Sequence, residues 1–233
     1  MNRRPIYKRV LLKLTGRVFS SEEDIKKAVQ EIEEVNLLGV ELGIVVGGGN
    51  LLRGRSADIL GMDRITADRI GMLATLINGL LLTHFLERNG TPVIHLSALP
   101  VKGIVEGFSL EIARRALEEK RVVVLSGGTS HPFFTTDTAV ALRACELESE
   151  IILKATDVDG VYSSDPKKDS GAKLYKRVSY KEAIEKQLSV MDITAFTICQ
   201  ERNIPILVFN FYKKGNLRKV LLGERVGTLV GGE

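Results

Sequence analysis

The sequence predicts an α/β protein whose mostly parallel sheet is covered by helices on both faces. Apolar, β-branched runs alternate along the chain with segments of helical periodicity, and this alternation is typical of parallel sheets. Several of the runs end in glycine-rich or polar loops, most clearly at residues 43–50. Because ligands bind at the carboxyl ends of strands in open α/β sheets, we expect the functional site there.

The individual elements follow from local patterns. Strands are predicted at residues 7–14, 43–46, 92–96, 122–125, 150–154 and 206–209. Helices are predicted at about 22–38, 66–88, 110–119, 136–147, 180–187, 192–203 and from 216 onward. Side chains that can cap a helix amino terminus precede five of them: Ser21, Ser109, Thr135 or Thr136, Ser179 and Asp192.

Composition narrows the class of protein. The chain has 233 residues, a net charge of +4 and a hydrophobic content of 44%, which is typical of a soluble globular enzyme with one large domain or two lobes. No basic stretch with interleaved aromatic residues indicates nucleic-acid binding. Cys145 and Cys199 are predicted to be free thiols in a reducing cytoplasm. The first residues lack the apolar run of a signal peptide.

The sequence lacks the common nucleotide-binding and metal-binding motifs. No G-x-x-x-x-G-K-[ST] occurs, and Leu52 stands where G-x-G-x-x-G needs its third glycine. His84, His95 and His131 lack metal-ligand spacing, so no metal site built from protein side chains is expected.

Lys13 and Lys154 each follow apolar residues late in a predicted strand. One interpretation is that both ammonium groups simply reach solvent. The other is that they bind phosphate oxygens, because a lysine is costly to bury unless it meets negative charge. The second fits better, since both strands feed polar loops. Such lysines would neutralise charge during phosphoryl transfer.

Five segments together resemble the bacterial uridylate kinases of the amino acid kinase superfamily, which is unrelated to P-loop kinases. They are Lys13-Leu14-Thr15-Gly16, residues 47–50 with Arg53, and residues 132–137, 154–162 and 190–192. The resemblance covers residues 6–230. It implies a single domain over residues 1–233, folded as a three-layer α/β/α sandwich. The acceptor would bind to residues 1–147 and ATP to residues 148–233.

The resemblance also implies the reaction MgATP + UMP → MgADP + UDP in pyrimidine nucleotide biosynthesis, with Mg²⁺ held largely by phosphates and water. The implied catalytic residues are Lys13, Lys154, Asp192, which would orient the lysines, and Arg53. The implied ATP-binding residues are Lys13, Leu14, Thr15, Gly16, Gly49, Arg53, Thr156, Tyr162 and Asp165. The implied UMP-binding residues are Gly48, Asp68, Thr129, Ser130, His131, Pro132, Phe133, Phe134, Thr135 and Thr136.

Two other functions stay open: a superfamily kinase acting on a carboxylate or carbamate, and a non-catalytic binding or storage protein. The Phe133-Phe134 pair beside hydroxyl groups favours a nucleotide acceptor, and the presence of both lysines argues against lost catalysis. Arg17 departs from the family, which usually has glutamate there, and the loop from Arg17 to Ser21 is short. UTP inhibition needs only the acceptor pocket and the neighbouring phosphate site, so we expect UTP to inhibit in competition with UMP. Activation by GTP is common in relatives with a longer first loop and depends on an intersubunit site that the sequence does not establish, so we expect GTP to activate weakly or not at all.

The predicted helix 66–88 carries no charged residue from Ile70 to Leu86. It is slightly short for a membrane span and is interrupted by polar residues. Periodicity predicts that one face packs on the sheet: Ile70, Leu73, Ala74, Ile77 and Leu81. The opposite face, with Thr75, Gly79 and Thr83 in line, is expected to meet a second subunit or another segment of this chain. The resemblance implies a homohexamer built as a trimer of dimers.

Overall fold

The computed structural model describes residues 4–51, 61–188 and 191–231. Within them lies a nine-stranded sheet. Its strands are β1 (Arg9–Leu14), β2 (Glu41–Val46), β3 (Val93–Ser97), β4 (Glu106–Gly107), β5 (Val122–Ser126), β6 (Ile151–Thr156), β7 (Arg177–Val178), β8 (Ile206–Asn210) and β9 (Thr228–Val230). The helices are α1 (Glu22–Asn36), α2 (Arg64–Arg88), α3 (Leu110–Glu118), α4 (Thr136–Glu146), α5 (Tyr180–Glu185), α6 (Ile193–Glu201) and α7 (Asn216–Leu221).

The sheet is mostly parallel, as predicted. Its strand order is β4-β3-β5-β2-β1-β6-β8-β9-β7, and only the β8–β9 pairing among these is antiparallel. The first strand, β1, lies at the centre between β2 and β6. This register places Lys13 directly beside Lys154 on the neighbouring strand.

Two hydrophobic cores lie on opposite faces of the sheet, which confirms the predicted sandwich. Successive residues of β1 alternate between them, because side chains of a strand point to opposite faces. Leu11 belongs to one core together with Val140 of α4. Leu12 belongs to the other, together with Ile32 of α1 and Leu217 of α7. The division into acceptor and ATP halves stays a prediction.

The predicted helix caps are present. Ser21, Ser109, Thr135, Ser179 and Asp192 each accept a backbone N–H at the start of a helix. Sequence left Thr135 and Thr136 as alternatives, and Thr135 is the cap. α2 begins at Arg64, two residues earlier than predicted, because Asp63 caps it by accepting from the Thr66 N–H. Three short strands, β4, β7 and β9, and a 3-10 turn at Gly16–Phe19 were not predicted.

The orientation predicted for α2 is wrong. Leu73 and Ile77, expected on the sheet, are each 50% exposed, whereas Thr75 and Gly79 are buried. A helix that is apolar all round gives no periodic signal for one face. Small and polar residues determine which face of α2 is buried. A Cβ on Gly79 would lie 2.5 Å from Nε2 of His95, so only glycine permits this packing. The Thr75-Gly79-Thr83 line therefore faces into the subunit rather than toward a second one.

α2 also has the length and composition of a membrane span, with a mean hydropathy of 1.4 in its most apolar window. However, 44% of that window is buried inside the protein. Its contacts with β2, β3 and β5 are those of a helix that covers a sheet.

Candidate active site

Two lysines and one carboxylate form the centre of the candidate site. The Nζ atom of Lys13 lies 3.1 Å from Oδ1 of Asp137, and Lys154 donates to Oδ2 of the same carboxylate at 2.7 Å. The three side chains are only 12–16% exposed. Parallel β1 and β6 deliver the lysines side by side, and the first turn of α4 delivers Asp137. The cluster carries a net positive charge and is suited to an anionic ligand.

Burial and pairing set the charges in this cluster. Burial lowers the pKa of Lys154, and the nearby Asp137 carboxylate opposes that effect. Burial raises the pKa of Asp137, but the charges of Lys154 and Lys13 outweigh it and hold this pKa below its usual value. Asp137 therefore stays ionised between the two ammonium groups.

Asp137, rather than Asp192, makes the direct contacts to the lysines. Asp192 was expected to orient them. In the structure it caps α6 through the Ala195 N–H at 2.8 Å and accepts hydrogen bonds from the hydroxyls of Thr135 and Thr138. Because Thr135 is the amino-terminal cap of α4, Asp192 fixes the helix end that carries Asp137. Apart from its charge, which raises the pKa of Lys154, Asp192 acts on the lysines through this helix end.

A cavity of about 360 Å³ opens beside this cluster. It is lined by Lys13, Thr15, Gly16, Arg17, Gly47, Gly48, Gly49, Thr136, Thr156, Asp157 and Tyr212. The glycine loops pack so closely that a Cβ on Gly16 would lie 2.6 Å from the Gly49 nitrogen. Such loops expose backbone N–H groups that can bind phosphate oxygens. Leu14, also predicted to bind ATP, has a fully buried side chain in the core.

Buried polar side chains of α2 hold two glycine loops in place. Asn78 donates to the Gly47 carbonyl at 2.7 Å and to Oδ1 of Asn50 at 2.8 Å. The Thr75 hydroxyl accepts from the Gly127 N–H at 2.7 Å and donates to the Met72 carbonyl. Sequence reasoning treated Thr75 and Asn78 as interruptions of an apolar helix. Their spacing, one turn apart in the longest apolar segment, was the available signal for a positioning role.

A second cavity, of about 400 Å³, adjoins the first. Thr156 and Asp157 line both, so the two form a continuous cleft at the carboxyl ends of the strands. Tyr162 and Asp165 line the second cavity, together with Lys154 and Gly160. The residues predicted for the adenine nucleotide, Thr156, Tyr162 and Asp165, therefore lie together.

Several predicted acceptor residues lie at the start of α2 and in the loop before α4. Oδ2 of Asp68 accepts from the Phe133 N–H at 2.8 Å and from Nε of Arg64 at 2.7 Å, which ties the start of α2 to the loop before α4. Phe133 and Phe134 are 64% and 48% exposed, although both are large and apolar. Exposed aromatic rings beside polar groups are suited to a planar ligand.

Only some of the predicted UMP-binding residues line the first cavity. Gly48 and Thr136 line the first cavity. In the loop, Thr129, Ser130 and His131 hydrogen-bond mainly to one another, and Pro132 lies between them and Phe133. Arg53, predicted to contact phosphates, lies outside the described residues, as does Val190. Tyr212 and Asp137 were given no role by sequence reasoning. The signal for Asp137 was its position two residues after Thr135, a predicted helix cap at the end of the acceptor loop.

Comparisons with known proteins agree with this geometry. The model of the amino acid kinase family matches residues 8–210, so the chain belongs to that family. The uridylate kinase of Klebsiella pneumoniae subsp. pneumoniae is 44% identical over 236 residues, covering 98% of each chain. The solved UMP kinase of Bacillus anthracis superposes with a TM-score of 0.93 at 38% identity, covering 98% of this chain and 97% of that one.

The UMP kinase structure from Ureaplasma parvum superposes with a TM-score of 0.90 at 38% identity over 100% of both chains. These relatives place the chain in the uridylate kinase branch of the family.

Proposed function

We propose that this protein transfers the γ-phosphoryl group of ATP to UMP, giving ADP and UDP. The observation that carries the proposal is the Lys13–Asp137–Lys154 cluster, which lies beside the cavity lined by the glycine loops and directly after the predicted acceptor loop. The relatives that share the whole length of the chain are named for this substrate. In the cell, the reaction would be a cytoplasmic step of pyrimidine nucleotide biosynthesis.

The cluster supplies what this reaction requires. The accepting phosphate of UMP is already anionic, so no general base is needed to activate it. Catalysis then depends on bringing two polyanions together and stabilising the charge that moves between them. Lys13 and Lys154 would face that charge from adjacent strands, and Asp137 holds both ammonium groups in place.

The remaining residues position the substrates. The backbone of Gly16, Gly47 and Gly49 would bind the ATP phosphates, and Tyr162 would contact the base and ribose. Asp68, through its bond to the Phe133 N–H, shapes the acceptor loop and would accept hydrogen bonds from UMP.

A magnesium ion would arrive bound to ATP rather than to a protein metal site. Among the described residues, no group of three or more His, Cys, Asp or Glu side chains could hold a metal ion. Mg²⁺ keeps much of its water and binds phosphate oxygens, so the nucleotide itself would supply its ligands. When bound, the ion would neutralise charge on the β- and γ-phosphates.

The proposed assembly is a homohexamer of three dimers, with the exposed face of α2 in the dimer contact. That face contains Leu73, Ile77, Leu80 and Leu81, which are 38–50% exposed. Ile77→Asp should lower the mass in sedimentation velocity while circular dichroism stays that of a folded protein. An unchanged mass would place the interface elsewhere. Gly79→Arg would not be a suitable probe, because a side chain at Gly79 would clash with His95 inside the subunit.

UTP would inhibit by occupying the acceptor and phosphate sites in competition with UMP, and GTP would activate weakly or not at all. Initial rates at several UMP concentrations test the first statement: UTP should raise the KM for UMP without lowering kcat. Strong GTP activation at subsaturating ATP would contradict the second.

A coupled ADP-release assay tests the proposed reaction directly. Purified protein with MgATP is offered UMP, CMP, dUMP or carbamate at equal concentration. We expect the highest kcat/KM with UMP. Preferred turnover of carbamate would indicate a different superfamily kinase, and no turnover of any acceptor would indicate a binding protein.

A further inference from the structure

Two cations from opposite halves of the chain meet on one carboxylate at the mouth of the cleft. Arg17 donates through Nη1 to Oδ2 of Asp157 at 2.5 Å, and Lys167 donates through Nζ to the same oxygen at 2.7 Å. Hydrogen bonding from Lys167 is the largest cause that lowers the pKa of Asp157, followed by its charge and that of Arg17. The carboxylate is therefore ionised, and the trio carries a net positive charge.

The trio lies at the junction of the two cavities. Arg17 and Asp157 line the cavity beside the glycine loops, and Asp157 and Lys167 line the neighbouring one. A ligand that extends from one cavity into the other must pass these side chains. A nucleoside triphosphate has this form, with its base in one cavity and its terminal phosphates in the other.

Arg17 is held at the rim by an aromatic ring. Its guanidinium carbon lies 5.3 Å from the centroid of the Tyr212 ring, an arrangement that cation–π attraction stabilises. Arg17 itself is 58% exposed, so its guanidinium keeps access to the cavity while Asp157 occupies it.

The net positive charge of the cleft favours the transfer of Arg17 and Lys167 from Asp157 to an anionic ligand. Cations outnumber carboxylates among its lining residues, which include Lys13, Arg17, Lys154, Lys167 and Lys186 against Asp157 and Asp165. Ion pairs at partly exposed positions are weak, whereas a guanidinium binds a phosphate group through two parallel hydrogen bonds. A polyphosphate therefore competes effectively with a single carboxylate for these cations.

We propose that Arg17 and Lys167 bind the polyphosphate of ATP, and that Asp157 holds both cations when ATP is absent. This inference rests on the proposed function in that it takes ATP as the ligand of the cleft. It makes Arg17 a nucleotide-binding residue of this chain. It also makes Asp157 a competitor of the nucleotide.

A double-mutant cycle tests the proposal. The dissociation constant of a non-hydrolysable ATP analogue with Mg²⁺ is measured by calorimetry for wild type, Arg17→Gln, Asp157→Asn and the double variant. We expect Arg17→Gln to weaken binding by about ten-fold or more, as for a charge-assisted hydrogen bond. Asp157→Asn should bind the analogue more tightly than wild type. Arg115→Gln, which removes an exposed arginine of α3 that lines neither cavity, is the matched control.

The double variant separates a ligand from a structural partner. If Arg17 binds phosphate, Arg17→Gln weakens binding at least as much in the Asp157→Asn background. If its effect disappears there, Arg17 serves only to pair with Asp157, and the proposal is overturned. Weaker analogue binding by Asp157→Asn alone also overturns it, since that result makes Asp157 part of the binding site.

The readout separates this inference from the proposed function. A wild-type protein that binds the analogue but does not phosphorylate UMP contradicts the proposed function and leaves the assignment of Arg17 testable by the same cycle. A wild-type protein that does not bind the analogue overturns both.

Discussion

Asp137 accepts a 2.7 Å hydrogen bond from Lys154 and pairs through its other oxygen with Lys13, so one carboxylate joins two strands to the start of a helix. Removing the carboxylate would leave two ammonium groups side by side in a poorly solvated site. Such uncompensated charge strongly destabilises a buried pair.

Asp137→Asn tests this relationship. We expect the free energy of unfolding at neutral pH to fall by about 3 kcal/mol, because a buried ion pair loses one partner. We also expect kcat to fall by about 10²-fold, since the lysines lose the group that positions them. Urea unfolding and initial rates measure the two effects. Asp169→Asn, in an exposed loop, is the control, and wild-type kcat in Asp137→Asn would contradict the positioning role.

The glycine loop after β5 offers a matched pair of threonines on α2. Thr75→Val leaves the Gly127 N–H without its acceptor, and an unpaired buried donor costs about 1–3 kcal/mol. Within the described residues, the buried Thr83 hydroxyl has no hydrogen-bond partner, so Thr83→Val should be neutral or slightly stabilising. Chemical denaturation of both variants measures the difference. Equal destabilisation would show that shape, rather than the hydrogen bond, matters at these positions.

His95 makes stability depend on pH. Burial lowers its pKa from 6.5 to about 4, and its Nε2 atom lies 2.7 Å from the Ser126 hydroxyl. The folded protein therefore binds this proton less readily than the unfolded chain does. The contribution of neutral His95 is present above pH 6.5 and is lost as the pH falls toward 4. Linkage predicts a loss of about 2 kcal/mol between pH 7 and pH 5.

The variant His95→Gln should lack that part of the pH dependence, measured by urea unfolding at both pH values. The exposed His84→Gln variant is the control. If wild type and His95→Gln lose the same stability on acidification, His95 is not the responsible group.

Substitution of Asp68 tests the proposed UMP-binding side of the site. Its carboxylate accepts from the Phe133 N–H, so Asp68→Ala should loosen the acceptor loop and remove the carboxylate proposed to accept hydrogen bonds from UMP. An unpaired group costs about 1–3 kcal/mol, which corresponds to a rise of about ten-fold or more in the KM for UMP. The KM for ATP should change little. Equal changes for both substrates would indicate general damage to the fold.

Much of the fold was predictable because its signals are local. Capping side chains indicate where helices begin, as at Ser21, Ser109, Ser179 and Asp192. Runs of β-branched residues indicate buried strands. The buried face of α2 was not predictable from sequence, because a helix that is apolar all round has no preferred face. Its orientation is set by the hydrogen bonds of Asn78 and Thr75 to loops that are distant in sequence. Such partners depend on tertiary contacts that periodicity does not contain.

The candidate site shows the same division. Lys13 and Lys154 were recognised because each ends an apolar strand before a polar loop. Their carboxylate was assigned to Asp192, which lies at a helix cap, whereas the direct partner is Asp137. Only the packing of α4 against the carboxyl ends of β1 and β6 distinguishes the two aspartates. The role of Arg53 stays a prediction.

In the proposed reaction, the paired lysines act on the phosphoryl group during transfer. Lys13→Ala tests it most directly, because Asp137 keeps Lys154 as a partner and the cluster retains an ion pair. The kcat of the UMP-dependent reaction is compared with the dissociation constant of UMP from calorimetry. We predict that kcat falls by about 10²-fold or more while UMP binding stays nearly unchanged. A wild-type kcat, or a loss of UMP binding equal to the loss of rate, would contradict the account.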